Sequence, residues 1–377
     1  MIAFHYGLGL PGGFLGVDLF FVISGFVITR LLLSRRLDGP GLLDFWRRRA
    51  RRLLPALLLV IAAVQAWMLL ADPPGLRDTV NAQTLAALVY MSNWYAIVGH
   101  VGYWDVGQAA APLNHLWSLA IEEQFYLFWP ALLAVVPWLL RRHGDRVRRR
   151  ALLATTLTLA STGYVLSALL CTPDYNRSYL GTDTRAGALL LGAAVAMLPR
   201  LRVNLLAVAA PALGVLWWTA GAGVDAQSLY TWRLPLAGIA AAALIHGLVH
   251  GTDTALPIRL SRRVLSAPPM LWIGRRSYGI YLWHWPIWVF LGVQYPQLGH
   301  PAAVAWALAA TTAVSALSYR LVEQPIRTGW GRPRILLSAL ACCLTALAFV
   351  TQLPVPAPVD ATNGPIVTGP NHAASQP

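Results

Sequence analysis

The chain contains no lysine and only three cysteines in 377 residues. Charged side chains make up 12% of it, about half of the roughly 25% usual in soluble domains. So little charge excludes an ordinary cytosolic enzyme and a disordered chain. The cysteines, Cys171 and the neighbours Cys342 and Cys343, form neither a metal-spaced pair nor a disulfide framework. They read as small apolar residues in packed or lipid-facing helices, and no metal is expected. No Walker loop, GxGxxG, HExxH or GxSxG stands in a useful context.

What the chain has in excess is apolar surface, with 57% hydrophobic residues. A spanning helix needs about 20 apolar residues, so this length holds about ten spans joined by short loops. One polytopic membrane domain follows, rather than several soluble ones. The net charge is +14 and all 29 basic residues are arginine. In a soluble protein that balance suggests nucleic acid. Here the arginines cluster between apolar runs, the pattern of cytoplasmic loops. The expected partner is the lipid bilayer, with no nucleic acid.

Apolar runs lie at 14–33, 53–71, 113–140, 152–170, 184–198, 203–220, 232–248, 277–293, 301–321 and 335–353. Residues 1–10 cover only ~15 Å, half a bilayer, and read as the second half of a first helix. Pro11-Gly12-Gly13 is a turn. Residues 84–99 are apolar but short and interrupted by Ser92-Asn93. With the arginine clusters at 35–52, 141–150, 200–202, 259–276 and 320–334 placed in the cytoplasm, the alternation works only if 84–99 does not cross. That segment therefore reads as re-entrant or interfacial. The fold expected is an all-α polytopic membrane protein. It has ten core transmembrane helices over 1–334, the first truncated at its N-terminus, plus an eleventh at 335–353. Residues 354–377, rich in Pro, Gly and Asn, read as a disordered extracytoplasmic tail.

Ionisable groups inside spans are costly, so each is a candidate site. The richest segment is NHLWSLAIEEQFY at 114–126. Spacings of three and four place His115, Ser118, Glu122 and Tyr126 on one helical face, and Glu123 and Gln124 broaden the polar surface. Interhelical hydrogen bonding alone rarely requires two adjacent carboxylates. His5 lies near the outer end of the first helix. Asp18 begins the next one, where a carboxylate suits the helix dipole as a cap. The intervening turn is tight enough to set Asp18 beside His5, as a carboxylate orients a base. In SYGIYLWHWP at 277–286, His284 sits mid-helix with Tyr281 one turn earlier. It is a satisfied core histidine or part of a cavity wall. The run Arg47-Arg48-Arg49-Ala50-Arg51-Arg52 sets topology and attracts anionic lipid. With Arg30 it also forms a candidate phosphate site, since arginine forks match phosphate oxygens.

Five segments together resemble the acyltransferase 3 family. They are HYGLGLPGGFLGVDLFFVISGFVITR at 5–30, FWRRRARRLLP at 45–55, NHLWSLAIEEQFYLFWP at 114–130, SYGIYLWHWPI at 277–287 and LVEQPIR at 321–327. They occur in order over nearly the whole chain. The resemblance implies an integral membrane enzyme that O-acylates, mostly O-acetylates, a glycan, a cell-envelope component or a small natural product. It implies acetyl-CoA or another acyl-CoA as cytoplasmic co-substrate and no permanently bound cofactor. By position His5 matches the histidine proposed as the family's base, and Glu122 a glutamate of its WSLxxEEQFY motif. Arg48, Arg49, Arg51 and Arg52 match its basic motif. Arg30 joins them as a donor contact and Asp18 orients His5. His115, Ser118, Glu123, Tyr126, Tyr281 and His284 are left as acceptor contacts. The resemblance also implies an eleventh helix leading to an SGNH-type domain, and 354–377 stands where its linker would begin. An arginine ten residues before the histidine belongs to the family pattern. An upstream extension of roughly 10–30 residues carrying it is therefore expected, the length of half a span plus a basic flank. A rival reading is a proton-coupled transporter or flippase, since buried Glu and His also suit proton relays. Another is an inactive truncated homologue.

Overall fold

The computed structural model describes residues 1–328, apart from 36, 72, 74, 101–110, 173, 200–204, 221–224 and 252–255. All regular structure among the described residues is helical. The elements expected at 335–353 and 354–377 lie outside them.

The chain opens with α1, Ile2–His5, only one turn long. The half-span expected over 1–10 is not formed, and the reason is local. Gly7 adopts φ 65°. The Leu8 amide donates to the Ala3 carbonyl at 2.8 Å and the Gly7 amide to Phe4 at 3.1 Å. This pair of bonds closes a helix through a left-handed residue, which glycine adopts without Cβ strain. A 3-10 turn, Pro11–Leu15, leads into α2, Gly16–Leu33.

The arginine cluster expected in a loop instead lies inside α3, Gly39–Ala71, a helix of 33 residues. The Asp38 carboxylate accepts from the Gly41 amide at 2.9 Å and so satisfies one of the unmatched donors at its start. Leucine, arginine and alanine then sustain the helix as far as Pro55 and past it. The segment expected at 84–99 divides into α4, Arg77–Leu88, and α5, Ser92–Val98. They are separated where Tyr90 takes φ 54°. Neither reaches the ~30 Å of a hydrocarbon core.

A second 3-10 turn, Asn114–Leu116, starts α6, Trp117–Leu139. There follow α7, Asp145–Leu170; α8, Tyr175–Leu180; α9, Thr182–Met197; and α10, Leu206–Thr219. The turn α11, Ala226–Ser228, runs through a π-helical stretch, Leu229–Arg233, into α12, Leu234–His250. The rest are α13, Leu256–Leu265; α14, Pro268–Gln294; α15, His300–Ser318; a π-helical Tyr319–Glu323; and α16, Gln324–Arg327.

Six helical segments among the described residues are long and apolar enough to cross a membrane: Pro11–Leu33, Gly39–Ala71, Asn114–Leu139, Asp145–Leu170, Ala226–His250 and His300–Arg327. They account for the spans expected at 14–33, 53–71, 113–140, 152–170, 232–248 and 301–321. The others expected among these residues correspond to α9 and α10, of 16 and 14 residues, and to α14. The last is long enough, but Arg275, Arg276 and its tyrosines and tryptophans dilute its apolar character.

The chain divides into two units. Among the described residues the first holds 1–49, 87–100 and 115–277; the second holds 50–86, 111–114 and 278–328. In the first unit α2 packs on α9 through two glycines. A Cβ on Gly25 would strike the Leu189 carbonyl, and one on Gly192 would strike that of Val22. Such close backbone approach is how helices associate where lipid removes the hydrophobic drive. α7 meets α9 in the same way, a Cβ on Gly163 falling 2.9 Å from the Asp183 carbonyl. In the second unit the Tyr278 hydroxyl donates to the Leu53 carbonyl at 3.0 Å. There Trp67 and Phe290 meet edge to face at 5.4 Å.

Candidate active site

The first unit gathers its polar side chains on α2, α6 and the start of α3. Glu122 and Tyr126 lie one turn apart on α6, and the Tyr126 hydroxyl donates to Glu122 Oε1. Ser24, from α2, donates to the same oxygen at 2.5 Å, and its Oγ lies 2.5 Å from the Tyr126 hydroxyl. One carboxylate oxygen thus collects two hydroxyls in a buried site. Hydrogen bonds to an ionised group are shorter and stronger than neutral ones.

Tyr126 is held from the far side by α3. Trp46 Nε1 donates to the Tyr126 carbonyl at 3.0 Å, and the Arg49 guanidinium stands 4.3 Å from the Tyr126 ring centroid. A cation over a ring face is attracted by the ring quadrupole. Arg49 is half-buried, whereas Arg47, Arg48, Arg51 and Arg52 are exposed. Arg48 pairs with Asp44 at 2.8 Å, and Arg35 joins the same carboxylate at 3.0 Å. Arg30 is exposed in the last turn of α2, 5.8 Å from the Phe26 ring. The basic motif therefore has two faces, one open and one reaching Tyr126.

Asp18 does not divide its charge as the sequence suggests. Its Oδ2 accepts from Arg185 Nη2 of α9 at 3.0 Å, with side chains 1% and 2% exposed. The arginine, rather than His5, takes that oxygen. Arg185 also lies 4.7 Å from the Tyr179 ring. His5 is the last residue of α1 and half-buried. Its ring is 5.7 Å from that of Phe4, which packs at the same distance on Phe14 of the following turn.

His115 and Ser118 are buried. His115 lies in the 3-10 turn ahead of α6 rather than in the α-helix itself. Glu123 is half-buried beside the network. Gln124 bonds to other partners. Its amide donates to the Tyr90 carbonyl at 2.7 Å and to Asn93 at 3.1 Å, and its Oε1 accepts from Thr182 at 2.5 Å. Tyr281 and His284 belong to the second unit. There His284 Nδ1 donates to the Tyr281 carbonyl at 2.5 Å. The carbonyl can only accept, so that bond places a proton on Nδ1. Among the described residues no group of three or more His, Cys, Asp or Glu could hold a metal ion.

Ser24, Trp46 and Arg185 were not singled out from the sequence. Arg185 carried a usable signal, because it is an ionisable residue inside the run 184–198 and the rule applied to Glu122 applies to it equally. Ser24 carried none, since serines are ordinary in spanning helices.

Long apolar helices around a buried carboxylate network define a polytopic helical membrane protein. A family model described as an acyltransferase domain matches residues 1–320, and the chain belongs to that acyltransferase 3 family. It is 37% identical over 350 residues to the putative peptidoglycan O-acetyltransferase YrhL of Bacillus subtilis, covering 87% of this chain and 53% of that protein. To the O-acetyltransferase OatA of Staphylococcus aureus it is 39% identical over 333 residues, 84% of this chain and 53% of the other. To the peptidoglycan O-acetyltransferase OatA of Listeria monocytogenes it is 36% identical over 349 residues, 87% and 53%. The chain spans about half the length of the curated relatives it matches. No solved structure matches it.

Proposed function

We propose that the chain is a membrane O-acetyltransferase that moves an acetyl group from acetyl-CoA to a hydroxyl of an envelope glycan. The family membership and three relatives named as O-acetyltransferases support the reaction class. Peptidoglycan in two of those names supports a glycan acceptor.

The observation that carries the reading is the reach of Arg49. Arg30 and Arg48 of the first unit are exposed and available to the CoA phosphates, as Arg forks suit phosphate; Arg51 and Arg52 are exposed further along α3. Arg49, on the same helix, contacts Tyr126, which holds Glu122. A donor bound by the open face thereby has a direct connection to the buried carboxylate. In the reaction the acceptor oxygen bonds to the acetyl carbon and the C–S bond breaks. His5 takes the hydroxyl proton and returns it to the CoA thiolate. Glu122, with Ser24 and Tyr126 on one oxygen, positions the reacting groups. Asp18 acts through Arg185, fixing the first turn of α2 against α9. The Arg-rich end is cytoplasmic, which accords with the charge asymmetry.

The test uses protein in lipid nanodiscs with acetyl-CoA, following free thiol release and acetyl transfer to an oligosaccharide. His5→Ala is expected to abolish transfer with expression intact. Glu122→Gln should cost at least ~10²-fold, the low end for proton transfer or its positioning. Near-normal transfer by a well-expressed His5→Ala protein removes the base assignment.

A further inference from the structure

Helix α13 of the first unit, Leu256–Leu265, has the sequence LPIRLSRRVL. Its ten residues reach about 15 Å, half of the ~30 Å hydrocarbon core, and three of them are arginine. It cannot cross a membrane, yet it presents an open apolar row. Leu256, Leu260 and Val264 recur every four residues and so share one face. They are 62%, 57% and 53% exposed. Arg259 and Arg263, also exposed, follow Leu256 and Leu260 by three residues and border that row. The helix carries no acidic residue.

The other side of α13 fixes where it lies. Ile258 is buried, and a Cβ on Gly251 would strike its Cδ1. Arg262 donates from Nε to the Leu248 carbonyl at 2.9 Å, and from Nη2 to the carbonyls of Leu248 at 2.7 Å and Gly251 at 3.1 Å. These are the open carbonyls at the end of α12, which a basic side chain commonly satisfies. α12 closes the segment Ala226–His250, long and apolar enough to cross the membrane. So α13 is clamped beside the end of a span, at the level of the bilayer surface. Just beyond it, in α14, the Arg276 guanidinium stands 4.3 Å from the ring of the exposed Trp272, and tryptophan favours the headgroup level. A short helix with leucines on one face and arginines beside them rests in the interface plane. Its arginines attract anionic headgroups, and their forks match a phosphate.

We infer that α13 is an interfacial helix that seats Leu256, Leu260 and Val264 in the bilayer surface and holds an anionic phospholipid headgroup with Arg259 and Arg263. The inference is independent of the acetyltransferase reading.

The test places a nitroxide label at Leu260→Cys or Val264→Cys, with native cysteines replaced, and compares two nanodiscs. One holds phosphatidylcholine alone, the other phosphatidylcholine with phosphatidylglycerol. Spin-label relaxation reports whether molecular oxygen, which concentrates in lipid, or a water-soluble nickel chelate reaches the label. In the anionic discs both positions should favour oxygen, while a label at Gly144→Cys, in the exposed turn before α7, favours the chelate. Adding Arg259→Gln with Arg263→Gln should reduce the oxygen preference in anionic discs to the level seen in neutral ones. Both arginines are exposed, so their loss should leave the unfolding midpoint in detergent unchanged. Arg262 is kept because it holds α12. Labels reached better by the chelate in both discs put the row in water and overturn the proposal. Labels shielded from both reagents mean that a second copy or another protein covers the row, and overturn it as well. An oxygen preference equal in both discs, and untouched by the glutamine variants, overturns the headgroup site.

Discussion

Asp18 and Arg185 are two opposite charges enclosed in helix-packed protein. Each justifies the other, since an isolated buried charge is far costlier than a paired one. Arg185→Met should therefore destabilise the protein by about 3–5 kcal/mol, the usual effect of stranding one member of a buried pair. The double change Asp18→Asn with Arg185→Met should recover a large part of that loss. Denaturant unfolding in detergent checks both, and a single variant as stable as the wild type would show that the pair does not hold α2 to α9. Sequence reasoning reached Asp18 and Glu122 because carboxylates inside apolar runs are rare; the chain has only three glutamates, Glu122, Glu123 and Glu323. It set Asp18 beside His5 because it weighed neighbours along the chain, and it did not foresee the Arg185 bond. Arg185, 167 positions away, is brought near only by the packing of two helices.

Helices α2 and α9 owe their contact to what is missing at two positions. Gly25 accommodates the Leu189 carbonyl and Gly192 that of Val22. Gly25→Leu should block this approach and cost more than the ~1–3 kcal/mol of ordinary overpacking, because the obstruction is main chain rather than a movable side chain. The measurement is the yield of monodisperse protein and its unfolding midpoint, and wild-type behaviour would mean that the helices lie further apart. At this scale the apolar runs were readable from hydropathy, since the bilayer demands length and little else. Helix ends were not. The arginines of α3 look like a loop by charge, yet nothing in Leu42–Leu54 breaks a helix, so the helix runs through them. Residues 1–10 look like half a span by composition, yet Gly7 turns the chain after His5. The break at Tyr90 has no sequence signature, because a tyrosine at φ 54° depends on tertiary support, here the Gln124 bond to its carbonyl.

For the whole molecule the arginine excess makes one prediction about sidedness. With native cysteines replaced, Gly144→Cys should label with an impermeant thiol reagent only from the cytoplasmic side, and Asn363→Cys only from outside. Labelling of Gly144→Cys from outside and not of Asn363→Cys means the inverse orientation. What this polytopic chain tolerates over mutational time is narrower than its apolar composition suggests. Two side chains in contact can drift together, one shrinking as the other grows. Gly25 and Gly192 each face a carbonyl, and no mutation makes a carbonyl smaller. Neither position has a compensating partner, so the register of α2 on α9 is inherited intact. With it go Asp18, Ser24 and Arg185, all carried on those two helices.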